Sequence, residues 1–167
     1  SVARGTALMR FYIVAVGKLK ERFWQEACAE YLKRLQPYGR TEVREVADVE
    51  PRRAGGEEGA RLREGEAILA TLDALPSGTR TVLLAIEGKE RSSVNFSQHL
   101  DELAVQGISD VAFVIGGSDG VSQAVRNRAD ETLSFGPITL PHNLARVVLL
   151  EQLYRACRIS RGEPYHK

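Results

Sequence analysis

Three short apolar runs constrain the fold of this chain more than any other feature. They are RFYIVAV at residues 10–16, TVLLAI at 81–86 and DVAFVI at 110–115. Each run is apolar along most of its length instead of alternating with polar residues, which is typical of strands buried on both faces. Segments with helical spacing separate the runs. The sequence therefore predicts an α/β fold with a mainly parallel sheet covered by helices on both faces.

Weaker patterns predict the remaining elements. Apolar residues recur every three or four positions in five segments, and the predicted helices are 20–35, 60–75, 97–106, 121–129 and 144–160. Short strands are predicted at 42–46 and 131–135. Residues 50–59 contain one proline, three glycines and many charges, which predicts a mobile loop. His99 lies in a polar stretch of its helix and is predicted to be on the surface.

Length and composition indicate one domain in a reducing compartment. The 167 residues are enough for a single core, which we assign to residues 9–167. Residues 1–8 lack the apolar stretch of a signal peptide, and they are either a remnant of cloning or a ragged extension. No apolar run approaches the length of a membrane span. Cys28 and Cys157 are too far apart in sequence to suggest a disulfide framework or a metal-ligand spacing. We therefore expect two small buried side chains and no metal. A reducing cytoplasm is the expected location.

Charge is distributed unevenly along the chain. The formal net charge is only +1, which excludes a polycation that binds nucleic acid through charge alone. Residues 42–66 contain eight acidic residues against five arginines, whereas residues 141–167 contain five Lys or Arg against two Glu. An anionic partner is therefore expected to prefer the C-terminal end.

Three loops follow the predicted strands, at residues 87–89, 116–120 and 135–140. Ligands of open α/β sheets bind beyond the carboxyl ends of the strands, so a small molecule is expected here. The loop GGSDG lacks both the G-x-G-x-x-G order and a P-loop lysine, and it fits a tight turn as well as a ligand loop. The segment SFGPITL is unusually apolar for a loop. It either lines an apolar pocket, where an adenine ring could be held, or packs beneath the last helix.

The C-terminal segment contains the remaining candidates. It reads LPHNLARVVLLEQLYRACRISRGEPYHK and ends on aromatic, imidazole and ammonium groups, although terminal residues usually fray. Asn143 is a candidate N-cap of the last helix. His142 suits either a structural hydrogen bond or catalysis. Arg155 is four residues after Glu151 and also fits an ordinary surface ion pair.

Taken together, these motifs resemble a known family. The segments VAVGKLKERFWQEACAEYLKRL, AIEGKERSS, FVIGGSDGVS, LSFGPITLPHNLARVVLLEQLYRA and RGEPYHK occur in the order, and with the shared endpoint, of the ribosomal large-subunit pseudouridine N3-methyltransferases of the SPOUT superfamily. The resemblance covers residues 9–167. It implies a SPOUT-type sheet with a C-terminal trefoil knot, which periodicity alone would not indicate because knots are rare.

The same resemblance implies a homodimer that binds S-adenosylmethionine near the subunit interface. The residues implied in cofactor binding are Leu84, Gly116, Phe135, Gly136, Pro137, Ile138, Thr139 and Leu140. The implied substrate is a pseudouridine of large-subunit ribosomal RNA (23S rRNA), methylated at N3 within the assembled ribosome.

The chemistry of this reaction selects candidate catalytic residues. N3 of a uracil-type ring is a weak acid, so its proton must be removed or shared while N3 is aligned with the methyl group. His142, Tyr165 and His166 have side chains that suit this task. Arg146, Arg155 and Lys167 suit contacts to phosphate or to uracil carbonyls. We expect Tyr165 and His166 to reach the base, across the dimer.

Three other functions remain open from the sequence. The first is a SPOUT methyltransferase that acts on transfer RNA or on a different ribosomal nucleotide. The second is a ribosome-binding module without catalysis, against which the intact loops and tail argue. The third is a monomeric nucleotide-binding regulator with an ordinary doubly wound fold.

Overall fold

The computed structural model describes residues 9–165, in which strands and helices alternate. The strands are β1 Arg10–Val16, β2 Thr41–Val46, β3 Arg80–Leu84, β4 Asp110–Ile115 and β5 Glu131–Leu133. The α-helices are α1 Arg22–Leu35, α2 Glu57–Asp73, α3 Ser93–Val105, α4 Gln123–Arg128 and α5 His142–Ser160. Two 3₁₀ turns, Gln36–Tyr38 and Pro51–Arg53, precede β2 and α2.

The strands form one parallel sheet in the order β2-β1-β4-β3-β5. At the start of the central pair, the Arg10 guanidinium donates to both carboxylate oxygens of Asp110 at 2.6 and 2.9 Å. This arrangement confirms the predicted α/β class with a parallel sheet. The trefoil knot that the family resemblance implies stays a prediction.

The two faces of the sheet explain why the strand runs are apolar throughout. Phe11 and Ile13 of β1 belong to a core formed with α1, α3 and α5. Tyr12, Val14 and Val16, which point the other way, belong to a second core formed with α2 and α4. Because side chains alternate between faces and both faces are covered, β4 is buried along its whole length and β1 at every position after Arg10.

Several helix boundaries differ from the prediction. Helix α2 begins at Glu57, so the segment 50–59 contains a 3₁₀ turn and the first turn of α2, and its prediction as a loop was partly wrong. Two glutamates in that first turn complement the positive end of the helix dipole. Helix α5 begins at His142 with Pro141 at its N-cap, so Asn143 is not the cap.

The sequence predicted the environments of Cys28 and Cys157 correctly and that of His99 incorrectly. Cys28 and Cys157 are buried, as expected. The surface position predicted for His99 was wrong, because its side chain is only 15% exposed and its Nε2 lies 2.6 Å from a carboxylate oxygen of Glu131. Glu131 is on β5, 32 residues away, so the pattern of α3 alone could not have revealed the contact. No helix within residues 9–165 is long and apolar enough to cross a membrane.

Candidate functional site

A cavity of about 660 Å³ lies at the carboxyl ends of β3, β4 and β5. Its size is typical of a site for a small organic ligand. The loops that follow these strands meet around it, as predicted from the position of ligand sites in open α/β sheets. The cavity is lined by seven of the eight residues singled out by the family resemblance, namely Leu84, Gly116, Phe135, Gly136, Ile138, Thr139 and Leu140. Pro137 is exposed beside them and is not part of the lining.

The glycine-rich loop after β4 approaches the cavity as bare backbone. A Cβ on Gly116 would lie 2.6 Å from Cγ1 of Val121, which is closer than such atoms approach. Gly120 has a φ of +82°, and its N–H donates to the carbonyl of Gly117 at 3.1 Å. Glycine is therefore required at 116 for space and favoured at 120 for conformation. The loop is both a tight turn and a wall of the cavity.

Ser134 connects the other two loops, and sequence reasoning missed it. Its buried hydroxyl donates to the carbonyl of Ile86 at 2.6 Å and accepts from the Gly136 N–H at 3.0 Å. Its own N–H donates to the carbonyl of Lys89 at 2.8 Å. The signal that could have indicated this role is a lone serine between a strand and an apolar loop.

The apolar loop after β5 lines the cavity and leaves part of its apolar surface uncovered. Phe135 is half-buried, whereas Ile138 is 63% exposed and Ile86, from the loop after β3, is 49% exposed. Both isoleucines line the cavity. Of the two interpretations of SFGPITL, the geometry therefore favours a pocket wall.

One charged pair lies at the cavity. The Arg126 guanidinium donates to a carboxylate oxygen of Glu87 at 2.5 Å, and both residues line the cavity. The backbone N–H of Glu87 and the Arg126 guanidinium hold the pKa of this carboxyl below its ordinary value. An ionised carboxylate therefore faces this side of the cavity. The sequence placed Glu87 in a loop but gave no indication of its partner.

His142 is the candidate catalytic residue that the structure brings to the cavity. It is the first residue of α5, and its Nε2 lies 4.0 Å from where a Cβ on Gly17 would be. Arg146, one turn later, is 97% buried, and its guanidinium donates to Glu45 at 2.6 Å and to the carbonyl of Gly17 at 3.1 Å. The contacts of Arg146 are therefore internal and join α5 to the ends of β1 and β2.

Arg155 lies further along α5, Tyr165 follows the end of that helix, and neither lines this cavity. The Tyr165 hydroxyl donates to Glu151 at 3.1 Å, and the Arg155 guanidinium contacts the same carboxylate at 2.7 Å. Burial and the bond to Glu151 raise the pKa of Tyr165. Nine residues of helix separate His142 from Glu151, which corresponds to roughly 13 Å. His166 and Lys167 lie outside the described residues.

The fold and the cavity define a class of protein: a parallel α/β domain with a ligand cleft walled by backbone and apolar side chains. No group of three or more His, Cys, Asp or Glu side chains within residues 9–165 is placed to hold a metal ion.

Comparisons with known proteins identify the family. The model of the family described as "Predicted SPOUT methyltransferase" matches residues 9–166. The protein named "Ribosomal RNA large subunit methyltransferase H" from Bacillus thuringiensis (strain Al Hakam) is 51% identical over 160 residues, which are 95% of this chain and 100% of the relative. The protein of the same name from Bacillus cytotoxicus is 49% identical over the same share of each chain. The chain belongs to the SPOUT methyltransferase family.

Solved structures support the fold alone. A probable methyltransferase from Bordetella pertussis Tohama I superimposes with a TM-score of 0.55 at 15% identity and covers 94% of this chain and 99% of its own. A probable methylase family protein from Haemophilus influenzae Rd KW20 gives the same TM-score at 13% identity, with 96% and 70% covered.

Proposed function

We propose that this protein transfers a methyl group from S-adenosylmethionine to N3 of a pseudouridine in large-subunit ribosomal RNA. It acts on the assembled ribosome, in the cytoplasm, as a homodimer and without a metal. The observation that most supports this proposal is the match to relatives named as large-subunit ribosomal RNA methyltransferases, which extends over 95% of the chain at about half identity. The target atom comes from the resemblance of the five sequence motifs.

The cavity residues fit the proposed methyl donor. Gly116 leaves no room for a side chain, so main-chain groups form this wall and can hydrogen-bond a ligand. Leu84, Phe135 and Leu140 offer apolar surface to a flat ring. Glu87 provides negative charge on the side where it pairs with Arg126. When bound, the donor supplies a methyl group that its sulfonium centre has already activated.

The protein's own chemical task is to manage the proton on N3 and to align the base. His142 is at the cavity and can accept or share that proton as a neutral imidazole. Tyr165 and His166 are the tail residues with suitable chemistry, and the Arg155 guanidinium lies over the Tyr165 ring at 4.7 Å. A donor that stabilises the developing negative charge on the ring would serve the same step.

The distance along α5 supports a site shared between two subunits. Tyr165 is bonded to Glu151, roughly 13 Å along the helix from His142. The C-terminal tail therefore begins at a distance from the cavity of its own subunit. A complete active site forms more readily if each tail reaches the cavity of the partner subunit. We therefore propose that Tyr165 and His166 act across the dimer.

The charge of the chain supports a ribosomal substrate over free RNA. A net charge of +1 provides little general attraction for phosphate, so tight binding to naked RNA is not expected. The shape of an assembled ribosome would supply the missing recognition.

Methyl transfer to three substrates tests the proposal. Labelled S-adenosylmethionine is offered with intact ribosomes lacking the modification, with separated large subunits and with naked ribosomal RNA, and the labelled nucleotide is identified. Label on N3 of a pseudouridine, mainly in intact ribosomes, is expected. Label on another ribosomal nucleotide would indicate a different SPOUT activity. Cofactor binding without transfer to any of these RNAs would overturn the proposed substrate, and no cofactor binding at all would favour a non-catalytic module.

A further inference from the structure

Helix α2 contacts the glycine-rich loop of the cavity at three places. The Arg61 guanidinium donates to the backbone carbonyl of Asp119 at 3.2 Å. A Cβ on Gly117 would lie 3.2 Å from a carboxylate oxygen of Glu64. A Cβ on Gly65 would lie 2.4 Å from the Ser122 hydroxyl, so the helix backbone is in close contact with the end of the loop. These contacts come from successive turns of one helix and span residues 117–122.

Glu64 is the unusual member of this contact. Its side chain is 96% buried, yet no lysine or arginine within the described residues pairs with it. One carboxylate oxygen accepts the Val49 N–H at 2.9 Å. The other side of the carboxyl group faces Gly117. The residue thus joins the segment after β2 to the loop after β4.

The charged groups around Glu64 favour its neutral form. Besides burial, the Asp48 carboxyl, from the segment after β2, raises the pKa of Glu64 because a second carboxyl group nearby disfavours the ionised form. Asp119 faces it from the glycine loop. On its own helix, Arg61 is bonded to the Asp119 carbonyl. Burial, followed by Asp48 and Asp119, raises the pKa of Glu64 against the opposing effect of the Val49 N–H.

We propose that Glu64 is a positioning residue for the methyl-donor cavity: its carboxyl group, wedged between Val49 and Gly117, fixes the backbone of the 116–120 loop. It does not touch the cavity itself, and it acts through Gly117, which lines the cavity. The assignment of this cavity to a methyl donor rests on the proposed function, whereas the contact with the loop does not.

Amide hydrogen exchange in the free, full-length protein tests the contact. The reporters are the Gly120 N–H, bonded to Gly117, and the Val49 N–H, bonded to Glu64 itself. Glu64→Ala should speed exchange at both by about tenfold or more, equivalent to ~1.4 kcal/mol of local opening, while the central strand β4 is unaffected. Glu64→Gln should restore protection, because an amide offers the same donor and acceptor as a protonated carboxyl. The matched control is Glu66→Gln, an exposed neighbour on the same helix.

The pH dependence of S-adenosylmethionine affinity, measured by calorimetry, is the second readout. A carboxyl with a raised pKa favours the folded loop at low pH and loses that effect as pH rises through the raised value. The wild type should therefore lose affinity relative to Glu64→Gln as pH rises, with the two alike at the acidic end.

The outcomes separate the two proposals. Unchanged protection of Gly120 in Glu64→Ala, or equal acceleration in every strand, would overturn the positioning role. Parallel pH profiles of the wild type and Glu64→Gln would also overturn it. Altered loop protection in a protein that binds no S-adenosylmethionine would support the contact and refute the proposed function.

Discussion

At the scale of single residues, the space around Gly116 makes the clearest prediction for the cavity. A methyl group there would meet Cγ1 of Val121 at 2.6 Å, so Gly116→Ala must displace the Val121 side chain or the loop, and both form the wall of the cavity. We expect the affinity for S-adenosylmethionine to fall at least tenfold, equivalent to ~1.4 kcal/mol, as measured by calorimetry. Gly78→Ala is the control, because Gly78 has a positive φ but open space and lies far from the cavity. It should lower the melting temperature and leave the affinity unchanged.

His166 is the residue whose substitution best separates chemistry from binding. His166→Ala should reduce methyl transfer by about a hundredfold or more, which is typical for loss of a general acid or base. Cofactor affinity should remain close to that of the wild type. Single-turnover transfer and calorimetry on the same sample provide the comparison, and an equal fall in both would show that the assignment of His166 is incorrect.

The two cysteines should be inert in the folded protein. Burial raises the pKa of the Cys157 thiol to about 12 and also raises that of Cys28. The reactive thiolate of Cys157 is therefore nearly absent at pH 8, and that of Cys28 is less populated than in a free cysteine. Intact mass after treatment with iodoacetamide should show no adduct in native buffer and two in denaturant. Rapid native alkylation of either thiol would contradict the burial described above.

At the scale of secondary-structure elements, Arg146 joins α5 to β1 and β2. Arg146→Ala would leave Gly17 and Glu45 without their donor, and we expect a loss of about 3 kcal/mol in the free energy of unfolding. Arg22→Ala removes an equivalent guanidinium from an exposed pair with Glu26 and should cost less than about 0.5 kcal/mol. Urea denaturation of both variants checks the difference. Similar losses would mean that the Arg146 pair does not hold these elements together.

The sequence predicted some elements well and others only in part, for physical reasons. The runs at 10–16 and 110–115 are correct to the residue, because central strands of a parallel sheet must be apolar on both faces. The start of α2 was missed because its first turn, at Glu57, contains charges and a glycine that are equally typical of loops. Contacts with the immediately preceding Pro51–Arg53 turn support that helix end, including the bond from the Gly56 N–H to the Pro51 carbonyl at 2.7 Å.

The features of the site also fall into those that the sequence predicted and those that it did not. The loops around the cavity followed from strand order, because the carboxyl ends of parallel strands meet at one edge. Ser134, Glu64 and the environment of His99 did not follow, since each depends on a partner brought from a distant segment. Periodicity describes one element at a time and contains no information on such contacts.

At the scale of the whole molecule, mixed dimers test whether the tail acts across the interface. Gly116→Ala subunits have an impaired cavity and an intact tail, and His166→Ala subunits have the reverse. If each tail serves the partner's cavity, random mixing should restore about a quarter of the wild-type activity, since half of the dimers contain one complete site of two. Transfer to ribosomes is measured before and after subunit exchange.

Two results of that experiment would contradict the proposal. Activity that stays at the level of the two separate variants would place tail and cavity in one subunit. A monomeric mass by light scattering would exclude a shared site altogether.

The order of the strands also has a consequence for synthesis. β1 pairs with β4, and the partners Arg10 and Asp110 are 100 residues apart. At translation rates of about 5–20 residues per second, β1 is synthesised roughly 5–20 seconds before β4, the strand beside it at the centre of the sheet. During that interval only β2 and the nearby helices can shield the run FYIVAV. The nascent chain therefore carries an incompletely paired apolar strand while about 100 further residues are made, and chaperones that bind apolar segments would matter most for the part that contains β1.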